Sequence, residues 1–270
     1  MHKNGNHSLT INIEGGVQPI RYVTVGSGRA REVAGTVIEE THVCISVNGE
    51  ELATFMATPR HLDKLALGFL ANEGMIDDMA DVRHVHLSKS SSCVDVWLRD
   101  MTFEKPHHFI ITAGCGGGIT FDDLSQQHEP LYSDLTATPE QLAGLMRQVH
   151  LGAEMYREAR GVHTAVLAED NRILLQMEDI GRHNCLDKLR GAALLDGVPT
   201  ENRILLSSGR ISSEMINKAR RMGAPIVCSR TSPTSLSVAL AEAWHMTIVA
   251  YLRQDRMRIY THPQRILEKQ

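Results

Sequence analysis

Apolar positions in the first half of the chain follow two rhythms. Val43, Ile45 and Val47 alternate with polar residues, Asn48-Gly49 offers a turn tolerant of positive φ, and Leu52, Thr54 and Met56 follow, which predicts a β-hairpin. The period then lengthens. Leu62, Leu65, Phe69 and Leu70 share one face of a predicted helix, with Thr58 as its cap, Pro59 at its first position and Gly74 at its end. Strands are predicted over Val82–Leu87, Cys93–Leu98 and 109–112, so that 31–135 form a small α+β part. Residues 1–30, rich in Gly, Asn and Ser, read as a loosely ordered arm with weak alternation at Leu9, Ile11 and Ile13.

Residues 121–135 are a polar linker carrying Pro130, and Thr138-Pro139-Glu140-Gln141 opens a long helix with a capping box. From Val162 onward, predicted strands at 162–168, 172–178, 203–208, 225–229 and 247–252 alternate in the later part with helices at about 184–195, 212–222 and 234–245. That alternation predicts an α/β part over 136–270 with a largely parallel sheet, whose strand-end loops gather along one edge.

Three of those loops are Glu178-Asp179-Ile180-Gly181-Arg182-His183-Asn184, Ser207-Ser208-Gly209-Arg210 and Ser229-Arg230-Thr231-Ser232-Pro233-Thr234. Each joins a small hydroxyl or glycine to an arginine ahead of a helix, where unpaired amides and the dipole favour an anion. Arginine adds a planar fork that fits phosphate. Ordinary capping accounts for any one of them. Three on one edge shift the weight toward a phosphate-bearing ligand, with Arg182, Ser208 and Arg210 as its contacts.

Composition narrows the field. At 270 residues and 42% hydrophobic content the chain can bury one large core or two modest ones. A formal charge of −4 and a pI near 6.4 give no global field for nucleic acid or a membrane surface. No apolar run approaches a bilayer span and none follows the N-terminal lysine, so a soluble, cytoplasmic protein is expected. The five cysteines are odd in number and widely scattered, with no close pair of the kind used for zinc or redox work, and read as reduced thiols.

One cysteine stands apart. Gly114-Cys115-Gly116-Gly117-Gly118 follows a strand-like segment, and four glycines in this run cost backbone entropy while packing nothing. Such a loop leaves a thiol accessible and lets backbone amides stabilise its thiolate. The run lacks the Lys-Ser or Lys-Thr of a nucleotide-triphosphate loop. Cys44, Cys93, Cys185 and Cys228 read as small buried hydrophobes.

Several runs together carry a resemblance: Val47-Asn48-Gly49, Thr58-Pro59, Leu67-Gly68-Phe69-Leu70 with Glu73-Gly74, Glu178 through Asn184 with Asp187-Lys188, Ser207-Ser208-Gly209-Arg210 with Ser213-Glu214-Met215, and Tyr260-Thr261-His262-Pro263-Gln264-Arg265. In this order, from about residue 40 to the C-terminus, they resemble the formate dehydrogenase accessory protein (FdhD) family. The resemblance implies a sulfurtransferase that takes sulfur from a cysteine desulfurase and passes it to a molybdenum cofactor, bis(molybdopterin guanine dinucleotide), before that cofactor enters formate dehydrogenase. It also implies a cytidine-deaminase-like layered mixed sheet with flanking helices, and a homodimer. The family's carrier cysteine falls on Cys115, and its cofactor contact on Tyr251, Leu252, Arg253, Gln254, Asp255 and Arg256.

The chain departs from the family pattern at Gly118, where the family has the second cysteine of a Cys-x-x-Cys loop. A relay that closes a disulfide within the loop therefore has no second thiol, while transfer on Cys115 alone stays open. The competing reading is a non-enzymatic chaperone for the molybdenum cofactor. A zinc deaminase would need a His-x-Glu or Cys-x-Glu and paired cysteines, and neither occurs, so no metal site is expected.

Overall fold

The computed structural model describes residues 15–88, 93–106, 110–112, 118–121, 128–254 and 256–266. Val17–Gly26 (β1) pairs in antiparallel register with Arg29–Ile38 (β2), so a ten-residue ribbon occupies the second half of the stretch read as a loose arm. Thr41–Val47 (β3) and Glu50–Ala57 (β4) form the predicted hairpin through Asn48 and Gly49, both at positive φ. Val82–Leu87 (β5) and Cys93–Leu98 (β6) complete a four-stranded sheet in the order β4-β3-β6-β5, with β3 and β6 parallel.

The helix Leu62–Asn72 (α1) buries Leu62, Leu65, Phe69 and Leu70 against this sheet. Its N-cap is His61, held at φ 58° without a side-chain cap, and Thr58 does not cap it. Thr58 is instead fully buried and directed at the other half of the molecule, where its N–H and Oγ1 both donate to Asp179 Oδ2, at 3.1 and 2.8 Å. Ile110–Thr112 (β7) and Gly118–Thr120 (β8) pair as a short ribbon.

The second half contains Pro139–Gly152 (α2), with the predicted Thr138/Gln141 capping box, and Glu154–Ala159 (α3). Then come His163–Glu169 (β9), Arg172–Asp179 (β10), Arg182–Asp196 (α4), Ile204–Ser207 (β11), Ser213–Arg221 (α5), Ile226–Ser229 (β12), Ser235–Ala243 (α6), Thr247–Arg253 (β13) and Arg256–Ile259 (β14). The six strands order as β10-β9-β11-β12-β13-β14.

The largely parallel sheet expected from alternation is in fact mixed. Only β11-β12 and β12-β13 are parallel, because β9 and β10 are joined by a tight turn at Asp170 (φ 50°) and β14 returns directly from β13. Leu186, Leu189, Met215, Ile216 and Trp244 from the α4–α6 side cover one face. Leu142, Leu145 and Val149 of α2 cover the other, against Val166, Ile204, Ile226 and Val249.

The two halves meet where α1 crosses α4. A Cβ on Gly68 would lie 1.7 Å from the Asp187 carbonyl oxygen, and one on Gly191 would lie 1.9 Å from that of Lys64, so only glycine admits this approach. Around the crossing runs a buried polar network. Lys188 Nζ donates to Asp179 Oδ2 at 2.5 Å and to the Thr58 carbonyl at 3.1 Å. Lys218 Nζ lies 2.7 Å from Asp187 Oδ1 and 3.7 Å from both Glu73 and Glu214. Asn72 Nδ2 adds a 2.8 Å bond to Asp187. Charges this deep persist only when paired and hydrogen-bonded, and here the pairs tie elements of both halves together.

Candidate functional site

The parallel strands β11, β12 and β13 all end at one edge of the sheet, and the start of the antiparallel β9 reaches the same edge. Two adjoining clefts open there against α2 and α3. The larger, about 540 Å³, is lined by Arg147, His150, Arg230, Leu252, Arg253 and Gln254 among others. The smaller, about 270 Å³, includes Tyr156, His163, Ser208 and Thr231. His150, Arg230 and Arg253 line both, so the two are continuous. Among the described residues no carboxylate lines either cleft, whereas three arginines and two histidines do.

A backbone irregularity aims part of this wall. The β13–β14 register slips between Ala250 and Arg253, and Tyr251 sits at φ 51°. The bulge changes the phase of the strand: Ala250 and Tyr251 both pack toward the α4–α6 face, and Leu252 turns, fully buried, to the α2 face. Arg253 and Gln254 thereby arrive at the cleft, Gln254 also at positive φ (52°). Non-glycine residues in this region are strained and gather where a side chain must be re-aimed. Arg253 Nε donates to the Arg230 carbonyl at 3.4 Å, and an Arg230 guanidinium nitrogen lies 3.4 Å from His150 Nδ1.

Ser208 lies at the inner end. Its Oγ accepts from the Thr164 N–H at 2.9 Å and lies 3.4 Å from His163 Nδ1. Burial, and then the Arg182 guanidinium, lower the His163 pKa, so this imidazole is neutral at pH 7. Arg182 opens α4 and is buried. A Cβ on Gly209 would lie 2.9 Å from Arg182 Cβ and 3.3 Å from His163 Nδ1, so Gly209 lets both pack beside it.

Of the residues expected to contact a cofactor, Ser208, Leu252, Arg253 and Gln254 line the clefts, and Arg182 stands behind Ser208 and His163. Arg210 and Arg256 are exposed outside the cleft walls. Tyr251 packs inward and carries Arg258 over its ring, 4.3 Å from the centroid. Asp255 and Cys115 lie outside the described residues; Thr112 and Gly118, which flank the connection bearing Cys115, are directly paired. Glu73 holds β8 at its end, accepting from Thr120 Oγ1 at 2.9 Å and the Phe121 N–H at 2.8 Å.

The helix starts are built differently from the expectation. Helices α5 and α6 begin beyond the arginine loops, capped by Ser212 and Thr234 from within. The Gly209 and Thr231 amides are taken by Ser207 and Ser229 hydroxyls at 3.1 and 3.0 Å. The cleft therefore offers guanidinium and imidazole side chains rather than open helix termini. In the Glu178 loop, the Glu178 carboxylate accepts from the Met155 and Tyr156 amides, and His183 Nδ1 faces Glu214 at 3.0 Å. Arg147, His150 and His163 escaped the sequence reading because α2 and β9 bring them to the edge from elsewhere in the chain.

Residues 38–267 match the profile of the FdhD/NarQ family. The chain belongs to that family. Among relatives of this FdhD/NarQ chain, the sulfur carrier protein FdhD of Bacillus subtilis is 33% identical over 246 residues, which cover 89% of this chain and 94% of the relative. The protein of the same name from Staphylococcus aureus is 33% identical over 258 residues, covering 94% and 97%. A crystal structure from Desulfotalea psychrophila, whose proposed identity is a formate dehydrogenase accessory protein, superposes with a TM-score of 0.75 at 27% identity over 93% of this chain and 99% of that one. The fold of this FdhD/NarQ member is mixed α/β, and among the described residues no helix is long and apolar enough to cross a membrane and no cluster of three or more His, Cys, Asp or Glu is suited to a metal ion.

Proposed function

We propose that this chain is a sulfur carrier for formate dehydrogenase, in which Cys115 takes sulfur from a cysteine desulfurase as a persulfide and delivers it to bis(molybdopterin guanine dinucleotide) molybdenum cofactor held as substrate in the arginine-lined cleft. The relatives' name supports the carrier role, and the cleft supports the substrate class. Arg147, Arg230 and Arg253, around a cavity with no carboxylate among its described lining residues, suit pyrophosphate groups, since planar forks grip phosphate oxygens and lose little entropy in doing so. The apolar remainder of the wall, Ala143, Met146, Leu151 and Leu252, suits a flat ring. The same reading keeps a cytidine-deaminase-like layering for the six-stranded unit, a homodimer and action in the cytoplasm.

The chemistry asked of the protein is modest. The Cys115 thiolate attacks the outer sulfur of the donor's persulfide, the donor leaves as a thiolate, and Cys115 carries Cys–S–SH. His163, beside Ser208, rests as the neutral imidazole and can take up a proton within the cleft, becoming an imidazolium when it does. With Gly118 in place of a second loop cysteine, the two electrons that convert sulfane sulfur to sulfide come from outside the loop.

Two measurements test this. Incubation with a desulfurase and cysteine should add 32 Da to the peptide carrying Cys115, about the mass of one sulfur atom, and Cys115→Ala should lose that addition and the activation of formate dehydrogenase. Calorimetry should show guanosine diphosphate binding that weakens by roughly 10-fold or more in Arg230→Ala and in Arg253→Ala, from about 1.5–3 kcal/mol per charge-assisted contact. Nucleotide binding with no persulfide on Cys115 would favour the chaperone reading instead.

A further inference from the structure

The sequence shows cysteines scattered far apart, yet the fold puts two of them side by side. Strands β3 and β6 are parallel neighbours, and their register sets Cys44 directly opposite Cys93. Val43, Ile45 and Val47 of β3 and Val94, Val96 and Leu98 of β6 point into the core, so by alternation both thiols stand on the outer face of the four-stranded sheet. Both are partly exposed. On that face Cys44 Sγ also lies 3.5 Å from Ser46 Oγ.

We propose that Cys44 and Cys93 form a dithiol–disulfide couple whose substrate is a sulfur–sulfur bond, either a disulfide or a persulfide. Three observations carry it. Adjacent strands lie about 4.8 Å apart, inside the roughly 4.4–6.8 Å Cα separation that a disulfide spans. The register already sets both side chains on the same face of paired strands, so closure needs no change of pairing in the sheet. The remaining described cysteines, Cys185 and Cys228, are fully buried in the other half and cannot compete.

The reaction balances with either partner. Against a disulfide R–S–S–R, one thiolate displaces R–SH to leave a mixed disulfide, and the second thiol then displaces the other R–SH. Against a persulfide R–S–SH, attack on the sulfur bearing R releases hydrogen sulfide, and the second thiol displaces R–SH. In both cases the pair gives up two protons and two electrons, and the Cys44–Cys93 bond forms. The couple is distinct from the carrier thiol Cys115, and it can be tested whether or not Cys115 carries sulfur.

The test equilibrates the full-length protein in glutathione buffers of stepped potential, or with glutathione persulfide, then blocks free thiols with N-ethylmaleimide and maps peptides by mass. Expected is loss of both thiols together at one midpoint, a peptide pair joined through Cys44 and Cys93, and free thiols retained at Cys185 and Cys228. In the persulfide arm, one sulfide should be released per pair closed. Cys44→Ser should leave Cys93 at a mixed disulfide that goes no further. Linkage in either arm supports the couple and identifies its partner. Alkylation of Cys44 and Cys93 independently in both arms, or joining of Cys93 to Cys115, would overturn it.

Discussion

Replacing Gly68 by alanine sets a methyl group 1.7 Å from the Asp187 carbonyl oxygen and 2.6 Å from the Gly191 nitrogen. These are backbone atoms, which cannot rotate away, so α1 and α4 must separate by about 1.5 Å before the contact becomes tolerable, a gap that forfeits much of the dispersion across the crossing. Overpacking costs about 1–3 kcal/mol where neighbours can give, and here the upper end applies. The same movement stretches the 2.8 Å bond from Asn72 to the Asp187 carboxylate, which is worth about 1.5–3 kcal/mol. Better helix propensity returns about 1 kcal/mol.

The net loss is about 3–5 kcal/mol, or a fall in melting temperature on the order of 10 °C for a chain of this size. The control is Gly144→Ala in α2, where the added Cβ meets only the Arg147 side chain at 3.7 Å and should gain about 0.5–1 kcal/mol. Urea midpoints of both variants against the parent give the answer. A Gly68→Ala protein with the parent's midpoint would refute the glycine-mediated contact between the halves.

Three further outcomes are expected. Lys218→Met leaves Asp187, Glu73 and Glu214 buried without their cation and should cost roughly 3–5 kcal/mol at pH 8 by urea denaturation, with a smaller deficit at pH 5 as Glu73, whose pKa burial raises, takes up a proton; a loss independent of pH would refute the ionic account. Burial and neighbouring cations hold the His183 pKa well below 6.5, so the folded state keeps it neutral while the unfolded state protonates it, and stability should fall as pH drops below about 6.5; His183→Gln should flatten that fall. Arg210→Ala, on an exposed residue outside the clefts, should change guanosine diphosphate affinity less than Arg253→Ala does, and an equal loss in the two would move the binding surface outward.

Local pattern decided much of this protein. The β3–β4 hairpin follows from alternation around Asn48-Gly49, the start of α2 from a capping box, and the strand–helix order of the second half from hydrophobic period, because each depends on residues a few positions apart. The runs that resemble the family lie within single segments and are legible for the same reason. What depends on distant residues was not. Thr58 reads as a helix cap because threonine suits that position and proline the one after it, but its partner Asp179 is 121 residues away and only the packed fold supplies it. Arg182 reads as an anion contact at a helix start, while burial beside Gly209 and His163 gives it a supporting place. The slip at Tyr251, which turns Arg253 into the cleft, leaves no mark in composition because pairing with β14 creates it. Cys44 and Cys93, 49 residues apart, become neighbours only when β6 adds in parallel to β3. Sequence fixes which segments can form strands and helices; register, crossing and burial, set by the whole chain at once, choose which side chains meet.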